Sequence, residues 1–149
     1  MIHQNWAFSE SASQGGHDYY KVNYPNSDAM FAVVEDCYNK AAVACGLNPL
    51  TDVIPIGKAI QLAKKPPYNF GDFHNSYAGQ DLTRQLQNGA LYADNTNHLN
   101  LRGSYIGSCV IIEKIFGVDC RNSTFYLNGY LSKAECAVLR EIAHEAVNG

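Results

Sequence analysis

At 149 residues, 46% apolar and 17% charged, the chain can bury roughly 68–70% of its unfolded surface and is expected to fold as one domain over 1–149, needing neither disulfide nor metal. A formal charge of −3, with 11 Lys and Arg dispersed along the chain, offers no basic stripe and disfavours nucleic acid as the main partner. Five cysteines with no C-x-x-C pair give zinc no support. No stretch reads as a signal peptide, and no apolar run approaches the roughly 18 residues of a membrane span, so a cytoplasmic protein without a cofactor is expected.

In chain order, residues 5–12 and 17–24 alternate aromatic and polar side chains about Gln14, Gly15 and Gly16, which predicts an N-terminal β-hairpin. Pro25, Asn26 and Ser27 end it and cap a helix over about 28–45, with Met30, Val34, Cys37, Ala41 and Cys45 on one stripe and Gly46 as its stop. Asp52 then caps a helix running to Lys65, which Pro66 and Pro67 terminate. The stretch LNPLTDVIPIGKAI resembles the apolar segments that precede toxin domains in bacterial polymorphic toxins. That match is little more than a capped helix start, and no function follows from it.

Residues 68–79 read as an aromatic, polar loop, and 80–87 as a short helix closed by Asn88 and Gly89. The most apolar run of the chain, 105–116, reads as a central helix with Ser104 as N-cap and Gly117 as stop. Asn128-Gly129 signals a tight turn, with a second short hairpin over 124–131 as its fullest form. Ser132 and Glu135 form a capping-box pattern for the last helix. The predicted fold class is therefore α+β, predominantly α, with about five helices and one or two small hairpins.

No established catalytic motif is present. Two polar clusters stand out, His74-Asn75-Ser76-Tyr77 and the run from Asn95 to Tyr105. In the second, His98 is positioned as acid or base and Arg102 as an anion clamp. Asn100 and Ser104 would orient the ligand at the start of the central helix, with His74 and Asn75 closing the other wall. The competing reading is a loop whose Asn and Ser side chains satisfy backbone groups. Cys120, between Asp119 and Arg121, is the one cysteine whose surroundings read as exposed and able to lower a thiol pKa, with an inert surface position as the favoured reading, while Cys37, Cys45, Cys109 and Cys136 are expected as buried thiols. Glu113 and His144 read as solvated helix positions, and His3 as part of a frayed terminus.

The series Tyr19, Tyr20, Tyr24, Tyr68, Phe70, Phe73 and Tyr77 could build a weakly charged aromatic contact surface. The leading expectation is thus a small intracellular interaction protein of bacterial or phage type, an inhibitor, immunity or anti-defence protein with a protein partner. The low charge also favours a homodimer slightly over a monomer. The alternative is a small enzyme or effector toxin that binds an anionic or nucleotide ligand at the 98–104 cluster.

Overall fold

The computed structural model describes residues 1–10, 22–73, 81–94 and 96–149. The fold is α+β and predominantly α. Two strands, β1 (Ile2–His3) and β2 (Val53–Ile54), pair in parallel, Ile2 opposite Val53 and His3 opposite Ile54. The helices are α1 (Ser27–Ala44), α2 (Pro49–Asp52), α3 (Ile56–Ala63), α4 (Leu82–Gln85), α5 (Leu101–Phe116) and α6 (Lys133–Asn148). Short 3₁₀ turns lie at Gln87–Gly89 and Cys120–Asn122. Among the described residues, no helix is long and apolar enough to cross a membrane.

The core is where α3, α5 and α6 meet. Ile60, Ile106, Val110, Leu139 and Ile142 are fully buried there, joined by Leu91 and Tyr92 from the segment leading into α5. Side chains three and four apart on each helix fall on one face, so each helix supplies a stripe to this seam.

α1 lies at the edge and turns a different stripe inward from the predicted one. Phe31 and Ala42 are buried, while Cys37, Ala41 and Cys45 face out. The reason is a close approach: a Cβ on Gly57 would meet the Phe31 ring at 2.5 Å and the Asn5 carbonyl oxygen at 2.2 Å. Only glycine lets α1 and the N-terminal segment press on α3 at that point.

The strands also differ from expectation. Residues 5–10 run without strand pairing and 22–23 form a turn, while 11–21, with His17, Tyr19 and Tyr20, lie outside the described residues. The β-branched pair Val53-Ile54 is drawn out of the predicted 52–65 helix to pair with β1. α2 therefore stops at Asp52 and α3 starts only at Ile56. At 124–131 the Asn128-Gly129 turn forms, with Gly129 at φ +87° and Tyr130 N–H donating to the Leu127 carbonyl, but no strands flank it.

Candidate functional site

Residues 91–94 and 96–100 close on one another just before α5. Tyr92 and Leu99 form an antiparallel bridge, Ala93 N–H donates to the His98 carbonyl at 2.8 Å, and Asn100 N–H donates to the Leu91 carbonyl at 2.9 Å. At the tip, Asp94 folds back on the chain: its Oδ1 accepts from Thr96 N–H at 2.9 Å and from Thr96 Oγ1 at 2.6 Å. Its other oxygen, Oδ2, takes Nδ1 of His98. Burial works to raise the Asp94 pKa, but the hydrogen bonds from Thr96 and His98 outweigh it and hold the carboxyl below its ordinary value. An ionised Asp94 selects the His98 tautomer with the proton on Nδ1, which leaves Nε2 as the acceptor. The His98 side chain is 71% exposed.

The N-terminal segment buttresses this loop. Trp6 Nε1 donates to the Asn97 carbonyl at 2.7 Å, Ser9 N–H to the Thr96 carbonyl at 2.7 Å, and Tyr92 Oη to the Ala7 carbonyl at 2.8 Å. The result is a groove of about 470 Å³ whose lining includes His98, Trp6, Ile56, Leu99, Ser104 and Ile111. His3, the last residue of β1, and Asn5 and Ile56, each two residues beyond a strand, also line it, so the groove opens at the strands' carboxyl ends. Ligands of open parallel sheets bind on that side.

Arg102 does not reach this groove. It is 5% exposed and points into the core, where its guanidinium pairs with Glu135 and donates to the Ala90 and Leu86 carbonyls over the Phe70 ring. It is a structural cation, and the expected anion clamp is already occupied. Asn100 is likewise interior: it, not Ser104, caps α5, accepting from Arg102 and Gly103 N–H while its amide donates to the Gln85 and Ala90 carbonyls. α5 can start four residues early because position 103 is glycine, where a Cβ would lie 2.7 Å from the Leu91 carbonyl oxygen. Ser104 is exposed on the groove with His98.

His74, Asn75 and Tyr77 lie outside the described residues. Tyr68, Phe70 and Phe73 are half-buried against the core, so they do not form a free aromatic surface, and Tyr24 is half-buried.

At the other end of α5 a second cluster forms from residues read as solvent-facing in the sequence. Glu113 is buried and accepts from His144 Nδ1 at 2.5 Å, Asn148 Nδ2 at 2.8 Å and Cys120 N–H at 3.1 Å. Burial opposes its ionisation, yet these donors together hold its pKa below the ordinary glutamate value. Donor atoms of Glu113, Asp119 and His144 lie within 4.8 Å of one another, a set that could hold a cation. Each member already has a partner, Asp119 through Arg121, so the set is built as an ionic clasp between α5 and α6. Cys120 is buried beside it rather than exposed; its thiol is pushed up by the Cys109 thiol, by burial and by Glu113, the opposite of a reactive cysteine. Cys37 and Cys45 are the exposed thiols.

The partner of His98 that the sequence did not single out is Asp94. Its signal was an Asx-turn, Asp94 with Thr96 two residues on, placed to present a carboxylate to His98.

No family model matches the chain, and no curated protein matches it. Among solved structures the chain is similar to the crystal structure of a DUF4886 family protein from Bacteroides uniformis, with 26% identity and a TM-score of 0.66. The match covers 99% of this chain and 47% of that one, so the chain spans about half the length of the protein whose fold it shares.

Proposed function

We propose that the Asp94–His98 pair is a general acid–base unit for hydrolysis or group transfer on an uncharged substrate held in the adjoining groove. The carrying observation is that Asp94, itself fixed by two bonds from Thr96, takes Nδ1 of His98 on a ring whose side chain is largely exposed. A carboxylate that orients a histidine leaves Nε2 to take a proton from an attacking hydroxyl or water and to return it to the leaving group. Fixing tautomer and ring is the orienting carboxylate's role in triads on many folds. With Arg102 committed to the core, the groove offers Trp6, Ile56, Leu99 and Ile111 with the hydroxyls of Ser104 and Ser108, a lining suited to a neutral ester or acyl group better than to a nucleotide.

The test is a ¹⁵N measurement of the His98 tautomer together with a panel of neutral chromogenic esters. The expected results are an Nδ1–H ring, and turnover that falls by about 10²–10⁴ in His98→Ala. An Nε2–H ring, or turnover indifferent to His98→Ala, overturns the reading. Binding of a macromolecular partner is favoured by a separate observation, the apolar outer face of α5.

A further inference from the structure

α5 is buried on one face and apolar on the other. Its outer face carries Ile111, Ile112 (44% exposed), Ile115 and Phe116 (70% exposed), continued by Val118 and Phe125 from the following loop. Scattered exposed apolar residues need no explanation, but a contiguous helical face of this kind marks a contact surface. Ile112, Val118 and Phe125 also line a groove of about 600 Å³ that runs along α5, and Ser104 and Ser108 join it to the His98 groove on the other side. Asp119 is the one charged side chain in the lining of the larger groove, which otherwise suits an apolar occupant.

The sheet points the same way. β1 and β2 pair over two residues each, in parallel. Parallel strands occur almost only in larger sheets covered on both faces, and a two-stranded ribbon is marginal by itself. β1 has β2 on one side and, among the described residues, no strand on the other. The similar Bacteroides uniformis structure adds the third observation, because more than half of that chain lies outside a match that takes in nearly all of this one.

We propose that the outer face of α5 is a docking surface for a polypeptide equivalent to the unmatched part of the Bacteroides uniformis chain. It lays an apolar element along Ile111, Ile112 and Ile115 and adds a parallel strand beside β1. This inference stands apart from the reading of His98, since it requires only the face, the strand edge and the length of the similar chain.

The experiment compares this chain alone with a chimera in which it replaces the matching part of the Bacteroides uniformis protein. Ile112→Cys, in a background in which the exposed Cys37 and Cys45 are replaced by serine, is labelled with a maleimide in both, and Ile112→Asp is melted in both. Labelling is expected to slow at least tenfold in the chimera. Ile112→Asp is expected to lower the melting temperature of the chimera and leave that of the isolated chain within a degree or two. Equal labelling rates in the two proteins overturn the proposal, as does an Ile112→Asp variant equally neutral in both. Protection of Ile112→Cys in the isolated chain, rising with its concentration, assigns the face to a second copy and also overturns it.

Discussion

A carboxylate–histidine pair sits at each end of α5, and the two have opposite fates. At the C-terminal end, Glu113 is buried, and its oxygens are used by His144, Asn148 and Cys120, residues of α6 and of the chain leaving α5. At the N-terminal end, Asp94 is held by its own loop, and His98 stands in solvent at the lip of a groove. The chemistry of the partners is the same. What differs is exposure: both rings bond through Nδ1, but the side chains of His144 and Glu113 are 24% and 6% exposed, and those of His98 and Asp94 are 71% and 36%. Where the ring is packed between helices the pair is a clasp, and where it stands in solvent its Nε2 can exchange protons with something that arrives from outside.

If that contrast is correct, the largest loss of stability comes from a residue only four positions from His98. Arg102→Ala strips the partner from Glu135 and the donors from the Ala90 and Leu86 carbonyls in one step. Removing one member of a buried ion pair costs about 3–5 kcal/mol, so urea unfolding should show a midpoint shift of that size. An effect below 1 kcal/mol would return Arg102 to the surface and reopen its role as an anion clamp.

Glu113→Gln comes next, at about 1.5–3 kcal/mol, the range for hydrogen bonds to a charged group. It also sharpens the comparison through pH. Glu113 binds its proton less readily when folded than the unfolded glutamate does at its ordinary 4.5. The unfolded state therefore takes up the proton first as pH falls. The stabilisation is complete above 4.5 and is lost as pH drops through the acid range below it. The unfolding free energy of Glu113→Gln should be flatter with pH there than that of the wild type. Parallel curves would mean that the clasp is not ionised.

These residues also show what could be read beforehand. The start of α6 was legible because an N-cap is local: Ser132 Oγ accepts from Glu135 N–H three residues on, although the Glu135 carboxylate, expected to close a capping box, goes to Arg102 instead. The Glu113 clasp was not, because its partner His144 lies 31 positions away and only packing of α5 on α6 brings it near. The start of α5 falls between these cases. Asn100 and Ser104 are both good caps by type, and Asn100 wins through its amide, which also closes the Gln85 and Ala90 carbonyls 15 and 10 residues back. Asn100→Ala should then cost about 1–3 kcal/mol, a cap plus orphaned buried carbonyls, and Ser104→Ala under about 0.5 kcal/mol. Reversal of that order in chemical denaturation would move the helix start back to Ser104.

The smallest stability effect belongs to the residue with the largest proposed functional one. His98 lies on the surface, and its contacts with Asp94 and Thr96 stay within a loop already closed by backbone bonds from Ala93 and Asn100. Exposed charge pairs contribute about 0–1 kcal/mol, so His98→Ala should unfold within about 0.5 kcal/mol of wild type. Asp94→Asn should do likewise if the Asn oxygen still accepts from Thr96. It should, however, release the His98 ring from a single tautomer, because an amide can donate to Nδ1 as readily as accept from it. The ¹⁵N spectrum of His98 therefore separates the two ends of α5 without any substrate: one dominant Nδ1–H form in wild type, and a mixture in Asp94→Asn. A ring that is already mixed in wild type would make Asp94 an ordinary turn residue. Both pairs would then be structural, and their difference in exposure would carry no chemistry.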